Sequence, residues 1–293
     1  MTVRALLVVL LALPACSSSP ATSGPATSGP DGGDATGDAA GDAAPGTRRC
    51  TVTAAAVTCS HESTSFPVNG LTRDVYWQTP TTAAPVAGFP AVVVYQGSFF
   101  GPSATWTDVA SGTPFGGYHQ ARLQAELLDA GFVVIAPFAA AELAWQTNSG
   151  VPWSATSDQP FIDDLLQAVR DGAFGPVDTT RLYATGISSG GYMTSRMAVS
   201  YPGVFRALAI HSGSYATCAG AVCQIPQALP ADHPSTRFLH GRADVTVPLF
   251  TAEPYEARLA AQGISADLIV DDAAGHEWLA TSPEQIRAWF TTH

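Results

Sequence analysis

The chain has 293 residues, 46% of them hydrophobic and only 13% charged, which is enough for one sizeable α/β core and short of two comfortable domains. Lys and Arg number 13 against 24 Asp and Glu, a formal charge of −11. A surface this acidic excludes nucleic acid and anionic lipid as electrostatic partners.

In chain order, residues 1–16 read as an export signal: Arg4, an apolar run over 5–13, then Pro14-Ala15-Cys16. The run is shorter than the roughly 20 residues that span a bilayer. Leu13-Pro14-Ala15-Cys16 resembles the bacterial lipobox, which would make Cys16 a lipidated mature N-terminus and the lipid the only contact with a membrane. Plain secretion with cleavage nearby is the alternative. Residues 17–46 consist almost wholly of Ser, Pro, Ala, Thr, Gly and Asp, with Ala-Thr-Ser-Gly-Pro written twice in succession. Nothing there repays the entropy of ordering, so the reading is a tether leading to a folded domain over 47–293, expected to act as a monomer. The expected location is secreted or at the cell envelope, anchored through Cys16.

Setting Cys16 aside leaves Cys50 with Cys59 and Cys218 with Cys223. Export favours disulfides, and pairing of neighbours is the simplest of the three connectivities, with Cys50 to Cys59 closing a hairpin at the domain's edge. No zinc-spaced histidine or carboxylate pattern accompanies these cysteines, so no metal site is expected.

Within the domain, residues 74–78 alternate in strand fashion, and Ala91-Val92-Val93-Val94-Tyr95 is a buried apolar run. A helix over 118–130 stops at Gly131 and a strand returns over 132–135. A second amphipathic helix covers 161–169. From Leu182 a strand runs into a helix through Gly186-Ile187-Ser188-Ser189-Gly190, the pattern of a nucleophile elbow. There the serine takes a strained backbone, and small neighbours let strand and helix pass close. Further elements follow: a helix over 189–201, a strand over 206–210, a strand ending near His240, a helix over 252–262, a strand over 266–270 and a helix over 283–291. Strands alternating with helices imply a mostly parallel central sheet with helices on both faces, here with a small cap, because only a short segment separates Ser214 from Ser235.

An α/β-hydrolase places its acid and then its histidine after the serine, each on a loop following a later strand. His240-Gly241-Arg242-Ala243-Asp244 supplies one carboxylate, and Gly275-His276-Glu277-Trp278 a histidine. Asp244 is therefore the candidate acid and His276 the candidate base, with Asp271 and Asp272 as rival acids on the histidine's own loop. An oxyanion hole requires two backbone N–H donors. Ser189 follows the nucleophile and supplies one; the loop after 91–95 supplies the other, from Ser98 or else Phe99. Of the remaining histidines, His61, His119, His233 and His293 are read as surface groups, and His211 and His240 as structural hydrogen-bonding groups at strand ends. Trp145 and Trp153 lie in the long connection between Phe138 and Gln159, and Trp278 lies two residues from the base. Like Phe99, they either line the substrate or pack.

These motifs carry a resemblance. Gly186-Ile187-Ser188-Ser189-Gly190-Gly191-Tyr192-Met193, Tyr201-Pro202-Gly203-Val204-Phe205 leading to Ser212-Gly213, the 240–244 motif with Val247-Pro248, and Gly275-His276-Glu277-Trp278 together resemble secreted serine esterases of the polyhydroxybutyrate-depolymerase-like group, related to feruloyl and acetylxylan esterases. The resemblance covers about residues 91–293. It implies the α/β-hydrolase fold and the triad Ser188, Asp244 and His276. Where relatives often carry His-Gly after the third strand, this chain has Gln96-Gly97. The expected activity is ester hydrolysis through an acyl-enzyme, on a polyester or oligoester, which needs no metal or cofactor. A feruloyl or acetylxylan esterase, a serine peptidase of the same fold and a non-catalytic envelope binding protein are the alternatives.

Overall fold

A computed structural model describes residues 48–148 and 151–293. The export signal, Cys16 and the tether lie outside the described residues.

Two short strands open the domain, β1 (Cys50–Val52) and β2 (Ala56–Cys59), paired antiparallel with Cys50 opposite Cys59. A disulfide joins that pair, and a second joins Cys218 to Cys223, the neighbour connectivity in both cases. β3 (Glu62–Val68) and β4 (Leu71–Gln78) form a hairpin, followed by β5 (Phe89–Tyr95) and the two-residue β6 (Val109–Ala110). Then come α1 (Gly117–Asp129), β7 (Val133–Pro137), α2 (Asp158–Arg170), β8 (Val177–Ile187) and α3 (Ser189–Ser200). β9 (Ala207–His211), β10 (Ser235–Gly241), α4 (Glu253–Ala261), β11 (Ala266–Asp271) and α5 (Ser282–Thr292) complete the chain.

The main sheet has eight strands in the order β11-β10-β9-β8-β5-β7-β4-β3. β11 through β7 of that order run parallel, and the β3–β4 hairpin adds an antiparallel edge. Every residue of β5, β7 and β9 is buried, as a sheet covered on both faces requires. Alternation divides β5 between the faces. Val92 and Val94 join Leu127 of α1 and Phe290 of α5, whereas Ala91, Val93 and Tyr95 join Phe161 of α2 and Met193 of α3. A third cluster packs Tyr255 and Leu259 of α4 against Phe238 of β10. Among the described residues, no helix lies between 212 and 234, and none is long and apolar enough to cross a membrane.

β3 and the two-residue β6, which joins the Cys50–Cys59 hairpin in a small sheet β1-β2-β6, extend beyond the expected elements. β8 also begins five residues before Leu182, because its polar first half pairs only at the sheet's end, Val177 facing Phe89.

Candidate active site

β5, β8, β9, β10 and β11 all run the same way, so the loops after their C-terminal ends meet at one edge, where sheets of this kind bind ligands. Ser188 stands between β8 and α3 with φ 57° and ψ −120°. For a residue with a Cβ this conformation costs about 1–3 kcal/mol, so it persists only where the surroundings hold it. Its N–H donates to the His211 carbonyl (3.1 Å), and its own carbonyl accepts the Tyr192 N–H (3.0 Å). The flanking glycines act through close approach. A Cβ on Gly186 would stand 2.6 Å from the carbonyl oxygens of Gly190 and Tyr95, and one on Gly190 would strike the Tyr95 carbonyl. Strand, elbow and helix therefore fit only with hydrogen at both positions.

Asp244 is fully held. Its Oδ1 accepts the N–H groups of Thr246 (2.9 Å) and Val247 (2.8 Å), and its Oδ2 accepts His276 Nδ1–H at 2.7 Å. Burial by itself would raise this carboxyl's pKa. The bonds from His276 and Val247 outweigh it, and the group lies below its ordinary range, ionised at neutral pH. With Nδ1 committed to Asp244, His276 presents Nε2 as the free base on a side chain only 13% exposed. The two loops are tied by Arg242 N–H to the Asp271 carbonyl (2.8 Å) and Ala243 N–H to the Ala274 carbonyl (3.0 Å). Asp272 instead pairs with Arg242 and is exposed, and Asp271 caps the Ala273 N–H; among the described residues neither bonds to His276.

His211 links this pair to the elbow. Its carbonyl accepts the Ser188 N–H, its Nε2 accepts the Leu279 N–H (3.0 Å) and meets Ser282 Oγ (2.8 Å), and its ring packs at a tilt of 45° against Trp278 with centroids 4.8 Å apart. Among the described residues Ser188 Oγ makes no hydrogen bond, and bonds of this type often tighten only when substrate is bound.

Of the two candidates on the loop after β5, Phe99 has spent its N–H on the Leu143 carbonyl (2.7 Å). The Ser98 N–H, like that of Ser189 at the start of α3, has no partner among the described residues. Gln96 anchors this loop. Its Oε1 accepts the Ala139 N–H (2.9 Å), its Nε2 donates to the Glu142 carbonyl (3.0 Å), and its carbonyl accepts Trp145 Nε1–H (3.1 Å). The Trp145 N–H in turn donates to Ser189 Oγ (2.9 Å), so one segment braces the loop on one side and the elbow on the other.

Trp145 is thus 2% exposed and packs, which corrects the substrate-lining reading; Trp278, 1% exposed against His211, does the same. In both cases the long-range partner that buries the indole is invisible in the local sequence. Trp153 is half-buried against Tyr201 and the Arg196 guanidinium. Phe99 is 78% exposed. His233 is not a surface group but buried, its ring bonded to the Pro234 carbonyl and the Tyr255 hydroxyl. Sequence reasoning missed Gln96 as an anchor, and Phe115, whose ring lies 6.4 Å from that of His276. The signal for Phe115 was an aromatic residue directly before Gly116-Gly117 at a helix start.

Burial lowers the pKa of His211, His233 and His240 below 6.5, most strongly for His211, where nearby histidines add to it, whereas the Pro234 carbonyl at His233 and the Val247 carbonyl and Asp244 at His240 partly oppose it. Between pH 6.5 and those lower values the unfolded chain binds more protons than the folded one. The stability these neutral rings contribute is therefore present above pH 6.5 and lost as pH falls, at about 1.4 kcal/mol per pKa unit for each ring. The expected result is a denaturation midpoint that declines from pH 7 to pH 5, above the carboxylate range. A midpoint flat over that interval would show that these rings are not held neutral.

Comparison with known proteins now bears on this geometry. The prolyl oligopeptidase family model matches residues 154–219, which span α2, the elbow and β9. A poly(3-hydroxyoctanoate) depolymerase of Pseudomonas fluorescens is 49% identical over 246 residues, covering 82% of this chain and 87% of the relative. Feruloyl esterase B of Thermothelomyces thermophilus is 50% identical over 50 residues, 17% of either chain. Among solved structures, esterase 2 of Thermogutta terrifontis superposes with a TM-score of 0.55 at 16% identity, covering 79% of this chain and 92% of its own, a likeness of fold. The chain belongs to the family of α/β-hydrolase-fold serine ester hydrolases that includes the Pseudomonas fluorescens poly(3-hydroxyoctanoate) depolymerase.

Proposed function

We propose that Ser188, Asp244 and His276 form the catalytic triad of a secreted or envelope-anchored esterase acting on aliphatic polyesters or oligoesters of hydroxy acids. The observation that carries this reading is the 2.7 Å bond between a buried Asp244 and His276 at the strand edge where Ser188 occupies its strained elbow. His276 Nε2 removes the Ser188 proton as Oγ attacks the ester carbonyl, and Asp244 fixes the tautomer and stabilises the imidazolium. The Ser98 and Ser189 N–H groups receive the developing oxyanion. The imidazolium then protonates the departing alcohol, and water releases the acyl group by the same route in reverse.

The polyester preference draws on the named activity of the 49%-identical relative and on the apolar surface at the site's edge, where Phe99, Phe115 and Leu143 are all exposed. Two disulfides suit an oxidising compartment and so support export. A feruloyl-type carbohydrate esterase is the second reading, favoured by the 50-residue likeness to feruloyl esterase B.

The test compares 3-hydroxyoctanoate and 3-hydroxybutyrate oligomers with methyl ferulate as substrates of the full chain. Faster hydrolysis of the aliphatic oligomers is expected. Preference for ferulate would transfer the assignment to the second reading, and cleavage of neither would remove both.

A further inference from the structure

The approach to His276 is bordered by an aromatic ring that the triad chemistry does not require. Phe115 is 54% exposed, and its ring stands edge-on to the His276 imidazole with centroids 6.4 Å apart. On another side it meets Phe100, also edge-on, at 6.1 Å. A single exposed phenylalanine is unremarkable by itself. What distinguishes this one is how firmly it is held.

Phe115 has φ 56°, in the left-handed region that non-glycine residues avoid, and Gly116 follows at φ 66°. The turn is clamped to the base's own loop: the Trp278 N–H donates to the Phe115 carbonyl at 2.9 Å, and a Cβ on Gly116 would stand 2.9 Å from the Trp278 nitrogen. Trp278 is in turn buried against His211, whose carbonyl holds the Ser188 N–H. A strained backbone, braced on the catalytic loop, therefore keeps an apolar ring in solvent beside the imidazole.

The chemistry of ester cleavage says which part of a substrate that ring meets. The histidine that takes the serine proton later gives it to the departing alcohol oxygen, so the alcohol portion lies along the imidazole. The oxyanion donors face the carbonyl oxygen instead, and Phe99, beside Ser98, stands on that side. We propose that Phe115, backed by Phe100, contacts the alcohol portion of the ester and selects for alcohols that carry apolar chains. The inference rests on the triad reading given above and deepens it. In an oligomer of hydroxy acids the departing alcohol is the next hydroxyacyl unit, whose alkyl branch an aromatic face would receive.

The experiment separates the two halves of the substrate, using the full chain, Phe115→Ala, Phe115→Leu and Ser188→Ala. One series holds the acyl group at butyrate and varies the alcohol through ethanol, butanol and octanol. The other holds the alcohol at p-nitrophenol and varies the acyl group from acetate to octanoate. In Phe115→Ala the octyl-to-ethyl ratio of kcat/KM is expected to fall about 10-fold, while the octanoate-to-acetate ratio keeps its wild-type value. Phe115→Leu, which restores an apolar side chain, should recover part of the alcohol preference, and is judged by the same ratios if the alanine variant does not fold. An unchanged alcohol ratio, or a change confined to the acyl series, would overturn the proposal. Hydrolysis that survives in Ser188→Ala would instead overturn the triad reading, whereas an inactive Ser188→Ala beside an unaltered alcohol ratio would sink this inference alone.

Discussion

Replacing Ser188 with alanine is expected to lower kcat for ester hydrolysis by about 10⁴- to 10⁶-fold, with the melting temperature little changed. The loss is large because the elbow's other hydroxyl, on Ser189, is buried and engaged by the Trp145 N–H, and stability should hold because Ser188 Oγ makes no hydrogen bond among the described residues. Asp244→Asn should cost about 10⁴-fold by a different route. Asp244 Oδ2 accepts the proton on His276 Nδ1, while Oδ1 is already occupied by the N–H groups of Thr246 and Val247. An amide kept in that orientation would turn its NH₂ toward His276, favouring the tautomer with hydrogen on Nε2, which cannot take the serine proton. Asp272→Asn serves as the control: its carboxylate is engaged with Arg242 in solvent, and kcat should stay within about twofold. Active-site titration with a fluorophosphonate reads all three, with no labelling of Ser188→Ala, slow labelling of Asp244→Asn and normal labelling of Asp272→Asn. Retention of more than a hundredth of wild-type activity by Ser188→Ala would remove it from the nucleophile's role.

The parts of this site that were legible in the sequence are those written in local chemistry. The elbow is legible because its geometry demands glycine at 186 and 190, and both sites tolerate no Cβ. The fully buried strands β5, β7 and β9 are legible as apolar runs, and the Cys50–Cys59 hairpin as a cysteine pair in register. What remained hidden depends on partners far along the chain. The choice between Ser98 and Phe99 turns on the Leu143 carbonyl, which claims one N–H and leaves the other. Trp145 reads equally as a substrate contact or a core residue until Gln96 and Ser189 are seen to hold it. His233 reads as a surface residue until Tyr255 on α4 closes over it. β3 alternates at an exposed edge with polar residues outward, so its composition gives little sign of a strand.

A second large effect is expected at a buried ion pair outside the triad. Arg73 Nη1 and Asp158 Oδ1 lie 2.6 Å apart with side chains 3% and 0% exposed. The guanidinium also donates to the Phe138 carbonyl through Nε (3.1 Å) and Nη2 (2.7 Å), and lies 3.9 Å over the Phe161 ring. Burial lowers the Arg73 pKa even against the pull of Asp158, a sign that the site is poor in water. Asp158→Ala would leave that cation without its counter-charge, and the expected destabilisation is about 3–5 kcal/mol. Asp158→Leu with Arg73→Met should recover much of the loss, because an apolar pair of similar volume needs no compensation. The second oxygen of Asp158 accepts the Gln146 N–H at 2.6 Å, next to Trp145, which braces both Gln96 and Ser189. Loosening that anchor should therefore also reduce kcat, by up to about 100-fold, more than it raises KM, since misplacement of a transition-state donor is felt mainly in the chemical step. Urea unfolding and steady-state kinetics on the same three proteins test both parts. Asp158→Ala within about 1 kcal/mol of wild type would show that the pair is not sealed from water. A destabilised Asp158→Ala with unchanged kcat would mean that the oxyanion loop holds its shape without this anchor.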